Sequence, residues 1–127
     1  MELTLDLLEG LMSQKVGYLF SFHDSGDGYW LVETRDYFPD GDPYLVYVLG
    51  NENGDFLITD RGHTQLHLSY ESENIPIFSN IVIEKPLQFR DGELVFETSA
   101  SMLEANLVRY ISEISVLIDS QNVKPLT

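Results

Sequence analysis

Two stretches with the apolar period of a helix bracket a long middle whose residues alternate with the period of a strand, and that switch restricts the chain to an α+β fold. At the N-terminal end Leu5, Leu8 and Met12, with Leu7 and Leu11 beside them, recur at helical spacing. Thr4 stands where an N-cap belongs, and Asp6 and Glu9 sit near the positive end of the helix dipole. The spacing predicts a helix over residues 4–15, stopped near Gly17. At the other end Leu103, Leu107, Ile111, Ile114 and Ile118 form an apolar stripe, preceded by Ser101 and Glu104 at capping-box spacing. Met102, Val108, Val116 and Leu117 make this stripe wider than one sheet face requires. Either the helix is deeply buried, or it also packs against a second copy of the chain as a homodimer.

Between them, Val16, Tyr18, Phe20 and Phe22 alternate as in a half-buried strand. The run from His23 to Gly28 reads as a turn, and Tyr29 to Arg35 as a second strand. Asp36 to Pro43 holds two prolines and a glycine and reads as a loop. Tyr44 to Leu49 is apolar throughout, which predicts a strand covered on both faces. Asn53-Gly54 then signals a turn before a strand from Asp55 to Thr59. Four strands joined by short turns make an antiparallel meander. Gly62 to Tyr70 reads as a short helix with Leu66 inward. Ile81 to Ile83, Leu87 to Arg90 and Leu94 to Glu97 read as later strands, the last two a hairpin across Asp91-Gly92. The expected architecture is one domain over residues 1–127: an N-terminal helix, a mainly antiparallel sheet, a short middle helix, and a long C-terminal helix packed on the sheet.

Charge bounds the partners. Twenty-one acidic residues against seven basic ones leave a net charge of -14, with a pI near 4.2. Such a surface repels phosphate backbones and anionic membranes, and attracts basic proteins and cations. The seven basic residues are scattered, so there is no basic patch for direct nucleic-acid binding. Without cysteine there is no disulfide, thiolate zinc site or cysteine nucleophile, which fits a reducing compartment. The N-terminus opens with acid rather than with the basic region of a secretory signal, and no apolar run approaches the ~20 residues of a membrane span. A cytoplasmic location is expected.

Strand parity places the acids. In a meander, alternate connections fall at the same end of the sheet, so Asp36, Asp40, Asp42 and Asp60 should gather at one end with Arg35 and Arg61 nearby. Asp24, Asp27, Glu52 and Asp55 should gather at the other. Grouped carboxylates can pair with a basic partner or bind a divalent cation. The same residues also serve turns for backbone reasons, since Asp and Asn side chains cap local amides. Asp60-Arg61-Gly62 in particular reads more readily as a helix entry with Asp60 as N-cap. Asp40-Gly41-Asp42 and Asn51 to Asp55 echo calcium-loop spacing without the closing glutamate. His63 and His67 lie four apart, but no third zinc ligand accompanies them and His23 sits in a distant turn. Ile83-Glu84-Lys85 lacks the spacing of a metal-dependent nuclease, and neither a nucleophile elbow nor a phosphate-cradling loop occurs. No enzyme activity and no cofactor or metal are expected.

Three stretches carry a resemblance: Thr34 to Val48 (TRDYFPDGDPYLVYV), Phe56 to Gly62 (FLITDRG) with Leu66 following, and Asp91-Gly92-Glu93-Leu94 leading into the terminal helix. In these the chain resembles an uncharacterised family of short bacterial and phage domains, domain of unknown function eighteen-twenty-eight. The resemblance implies an architecture over nearly the whole chain and a phage or prophage setting, but no reaction. The expected function is an acidic protein-binding module, with an anti-restriction or anti-CRISPR inhibitor that imitates nucleic-acid charge as its most specific form. The alternatives are an acidic scaffold or immunity-type partner without mimicry, and a metal-dependent enzyme using the Asp36, Asp40, Asp42 and Asp60 end.

Whichever holds, a net charge of -14 opposes its own compact state. Screening at a Debye length of ~8 Å or less should relieve that repulsion. The melting temperature at neutral pH should therefore rise with added sodium chloride, as followed by circular dichroism; a flat or falling response would mean that local ion pairs outweigh the general repulsion.

Overall fold

Apolar residues on every second position of the strands and on one side of two helices share a single core, and the architecture follows from closing it. In the computed structural model, residues 3–12, 20–39, 41–51, 53–64, 88–90 and 92–122 are described. They form a short helix α1 (Leu5–Gly10), strands β1 (Ser21–Asp24), β2 (Trp30–Tyr37), β3 (Pro43–Gly50), β4 (Phe56–Thr59), β5 (Gln88–Arg90) and β6 (Glu93–Thr98), and a long helix α2 (Leu103–Asn122). The expected α+β fold is what the structure has. One six-stranded sheet runs in the order β1-β2-β3-β4-β6-β5, every neighbouring pair antiparallel. The first four strands are the predicted meander. The β5–β6 hairpin then folds back so that β6, not β5, pairs with β4.

Register aligns the core side chains across the sheet. Phe22 opposes Val32, which opposes Val46; Val48 opposes Ile58, which opposes Phe96. Against this face lie Leu8 of α1 and Leu103, Leu107, Tyr110, Ile114 and Leu117 of α2, all in one buried cluster. Helix α2 lies over β4 and β6, and α1 lies against β1. Tyr110, fully buried, donates its hydroxyl to the Leu94 carbonyl at 2.7 Å and ties α2 to β6.

Several expectations are corrected. Helix α1 ends at Gly10 with Leu11 as its C-cap, well before residue 15, although Thr4 caps it as predicted, its Oγ1 accepting from the Leu7 amide at 3.2 Å. β1 extends through Asp24, so His23 and Asp24 belong to a strand and not to the turn. Asp36 and Tyr37 belong to β2, which shifts register between Glu33 and Tyr37; the Thr34 hydroxyl accepts the Asp36 amide at that irregularity. β3 is not covered evenly on both faces: Tyr44, Val46 and Val48 are buried, whereas Leu45, Tyr47 and Leu49 are half-buried. A 3₁₀ turn over Ala100–Met102 occupies the place of the capping box. Of the residues that widen the α2 stripe, Leu117 is buried, but Met102, Val108 and Val116 are 49, 40 and 47% exposed, so deep burial does not account for them. The strand expected over Ile81 to Ile83 and the middle helix beyond Thr64 lie outside the described residues, as does the first half of the first predicted strand.

This packing separates core from surface on one helix. Leu107→Ala should cost about 2–5 kcal/mol in urea unfolding, because the void under the sheet cannot collapse. Val116→Ala should stay within about 0.5 kcal/mol.

Candidate functional site

The Asp60-Arg61-Gly62 turn governs how the strand ends are arranged. β4 stops at Thr59, which opposes Val95, so the next ladder position would pair residue 60 with Leu94. The Asp60 amide still donates to the Leu94 carbonyl at 3.4 Å. The returning bond comes from the side chain: the Leu94 amide donates to Asp60 Oδ1 at 3.0 Å. The carboxylate thus substitutes for a backbone carbonyl while the main chain turns away. Oδ1 also accepts the Gly62 amide at 2.9 Å and Oδ2 the Thr64 amide at 3.2 Å. Asp60 is fully buried. Burial raises its pKa above the ordinary aspartate value, while these amides and the Thr64 hydroxyl pull it back.

The turn requires Arg61 to adopt a left-handed φ of 52°. Its amide donates to Thr59 Oγ1 at 3.0 Å, and Thr59 Oγ1 in turn donates to Glu93 at 2.7 Å. From this position the Arg61 guanidinium crosses the sheet face opposite the helices. It lies 4.3 Å from the Tyr29 ring centre and 5.3 Å from that of Tyr47, and pairs with Asp27 Oδ2 at 2.8 Å. That hydrogen bond holds the exposed Asp27 carboxyl below its ordinary pKa.

The structure therefore divides the predicted acidic clusters differently. The exit of β4 and the β2–β3 loop do meet, as parity predicts, but through the rings of His63 and Phe38, 5.5 Å apart. Asp36 and Asp42 are exposed at that end. Asp60 is not among them: its carboxylate is enclosed by amides and is unavailable to a partner. Arg61 leaves the same end and joins Asp27 at the other. There Asp24 at the end of β1 and Asp27 and Asp55 on the β1–β2 and β3–β4 turns are exposed. Asp40, Glu52 and His67 lie outside the described residues. Some of the oxygens that resemble cation ligands serve local amides. Asp24 Oδ1 accepts from Gly26, Asp27 Oδ1 from Tyr29, and Asn51 Oδ1 from both Asn53 and Asp55. Among the described residues no three His, Cys, Asp or Glu side chains are placed to share a metal ion.

Two cavities flank these ends. One, of about 400 Å³, opens at the β1–β2 turn and is lined by Leu3, Asp24, Gly26, Gly28, Trp30, Leu49 and Gly50. The other, of about 450 Å³, lies between α2 and the β1–β2 side of the sheet, lined by Phe20, Arg35, Asp36, Val108, Ile111, Ser112 and Ser115. Trp30 and Arg35 were not predicted to line cavities. Only the alternation that puts Trp30 on the core side of β2 hinted at the first. No described helix is long and apolar enough to cross a membrane.

The Asp60 node yields a pH signature. Because burial raises its folded pKa, its contribution to stability is fully present below the unfolded aspartate pKa and declines as pH rises through the folded one. Asp60→Asn lacks this component, so the stability gap between wild type and variant should narrow over that rise. Asp60→Ala should cost about 2–4 kcal/mol at the acid end, because it leaves buried amides without an acceptor, and this gap too should narrow as pH rises. Urea melts from pH 4 to 7 measure both.

No curated protein and no solved structure matches this chain. A family model does match it over residues 34–116, from β2 through most of α2. That span includes the Asp60 turn, the hairpin that returns to it and the core stripe of the long helix, and on it the chain belongs to the family described as domain of unknown function DUF1828.

Proposed function

We propose that this chain is an acidic, non-enzymatic protein-binding module whose exposed carboxylates engage a basic partner in the cytoplasm. The observation that carries this reading is a set of exposed carboxylates with no basic partner among the described residues. Three pairs cover one acid each among the described residues: His23 with Glu33, Arg61 with Asp27, and Arg90 with Glu97. Asp6, Glu9, Asp24, Asp36 and Asp55 are exposed and have no basic side chain within pairing distance among the described residues. Exposed carboxylates in a field of -14 concentrate cationic surfaces and accelerate their encounter.

The most specific form of this reading is a phage-type anti-defence inhibitor, anti-restriction or anti-CRISPR, that occupies the basic groove of a nucleic-acid-binding enzyme. Duplex DNA carries one charge per roughly 1.7 Å of axis. A second reading, an acidic scaffold or immunity-type partner without mimicry, is favoured by the division of the carboxylates between the two ends of the sheet instead of one continuous row. The exposed Val108 and Val116 on α2, with Met102 on the turn before it, are in keeping with self-association as a homodimer.

Binding through exposed ion pairs should weaken steeply with salt, and single changes should cost about 0–1 kcal/mol each. The combined variant Asp24→Asn, Asp36→Asn, Asp42→Asn and Asp55→Asn should keep its fold, because all four side chains are exposed, and lose most binding to the partner captured by wild-type protein from host lysate. Duplex DNA should compete for the partner if the surface is a mimic. Simultaneous binding of DNA and this protein to the partner would favour the scaffold. Normal binding by the quadruple variant would sink both readings.

A further inference from the structure

We infer that the cavity at the β1–β2 turn is a receptor for an arginine side chain of the basic partner, its guanidinium held between the Asp24 carboxylate and the Trp30 indole. The inference rests on the reading above and gives it a defined contact. Asp24 and Trp30 are register partners on neighbouring antiparallel strands, so their side chains rise side by side from the same face of the sheet. Both line the cavity, together with Leu3, Leu49 and three glycines.

The chemistry of this lining selects a cation with an aliphatic stem. Among the described residues Asp24 is its sole titratable side chain, and no ion pair among them engages it. One oxygen of Asp24 accepts the Gly26 amide at 2.8 Å, which orients the carboxylate and leaves the second oxygen for a ligand. A planar guanidinium stacks on an indole face and donates to a carboxylate at once, whereas an ammonium offers only a point charge. Leu3 and Leu49 supply apolar surface for the methylenes. Gly26 and Gly28 adopt φ of +84° and +89°, which a side chain rarely tolerates, so this turn keeps both wall positions free of side chains. At about 400 Å³ the space accommodates one such side chain.

Trp30 is the only tryptophan in the chain, so its fluorescence reports on this cavity directly. Titration with N-acetyl-argininamide at low salt should give a saturable change in Trp30 emission. N-acetyl-citrullinamide, the neutral isostere, should give none. Asp24→Asn retains an oxygen for the Gly26 amide and removes the charge, and should weaken argininamide binding about tenfold, as loss of a charge-assisted bond implies. Glu97→Gln, on β6 and outside the cavity lining, should leave it unchanged. A non-saturable response, equal binding of the citrulline compound, or an unaltered Asp24→Asn variant would overturn the assignment. Deca-arginine followed by calorimetry separates the two levels. Binding without any Trp30 response would overturn the pocket and leave the acidic surface standing, whereas no binding at all would remove the reading on which the pocket depends.

Discussion

A buried carboxylate that completes a β-ladder is the interaction on which the arrangement of this molecule depends. β4 is four residues long and must hand the chain to a tight turn, yet β6 still needs a partner at Leu94. Asp60 meets both demands because its side chain ends in the acceptor that the departing backbone no longer offers. A single carboxylate with three amide donors in a water-poor site is costly to ionise but far costlier to remove, since each abandoned amide would be buried without an acceptor. Tyr110 reaches the same Leu94 peptide from α2, so the turn, the hairpin and the long helix converge on one backbone unit.

The same turn sets up the other face of the sheet. Because Arg61 is held at positive φ, its side chain leaves the turn across Tyr47 and Tyr29 and ends on Asp27. In a strongly acidic chain, one of the few cations thus serves to bridge β4 to the β1–β2 turn. The exposed acids at the turns stay in water, where desolvation costs nothing and repulsion is screened. Acid is tolerated here by exposure and by local amide bonds more than by pairing. This leaves a surface able to attract basic groups, and beside Asp24 an indole and a cavity that give such attraction a shape.

Much of this was legible from local pattern. The change of period between the ends and the middle of the chain specified helix, sheet, helix, because side-chain burial repeats every 3.6 residues in one and every two in the other. The meander followed from turns such as Asn53-Gly54, and the Thr4 cap and the α2 stripe from spacing alone. Parity correctly brought the β4 exit to the β2–β3 loop. It misjudged Asp60, because an aspartate after a strand looks the same in sequence whether its carboxylate faces solvent or replaces a ladder carbonyl. It misjudged Arg61 for a related reason, since a left-handed arginine carries no sequence mark.

What the sequence by itself determined, then, is what depends on near neighbours along the chain: element types, caps, turns and the sign of the surface charge. Tertiary structure alone decided that β6 would lie between β4 and β5, that Asp60 would be enclosed while Asp24, Asp27, Asp36, Asp42 and Asp55 stayed outside, and that Trp30 would stand beside Asp24 at the mouth of a cavity. Each of those outcomes depends on strand lengths and on register between residues distant in sequence, and no periodicity within a single segment encodes them.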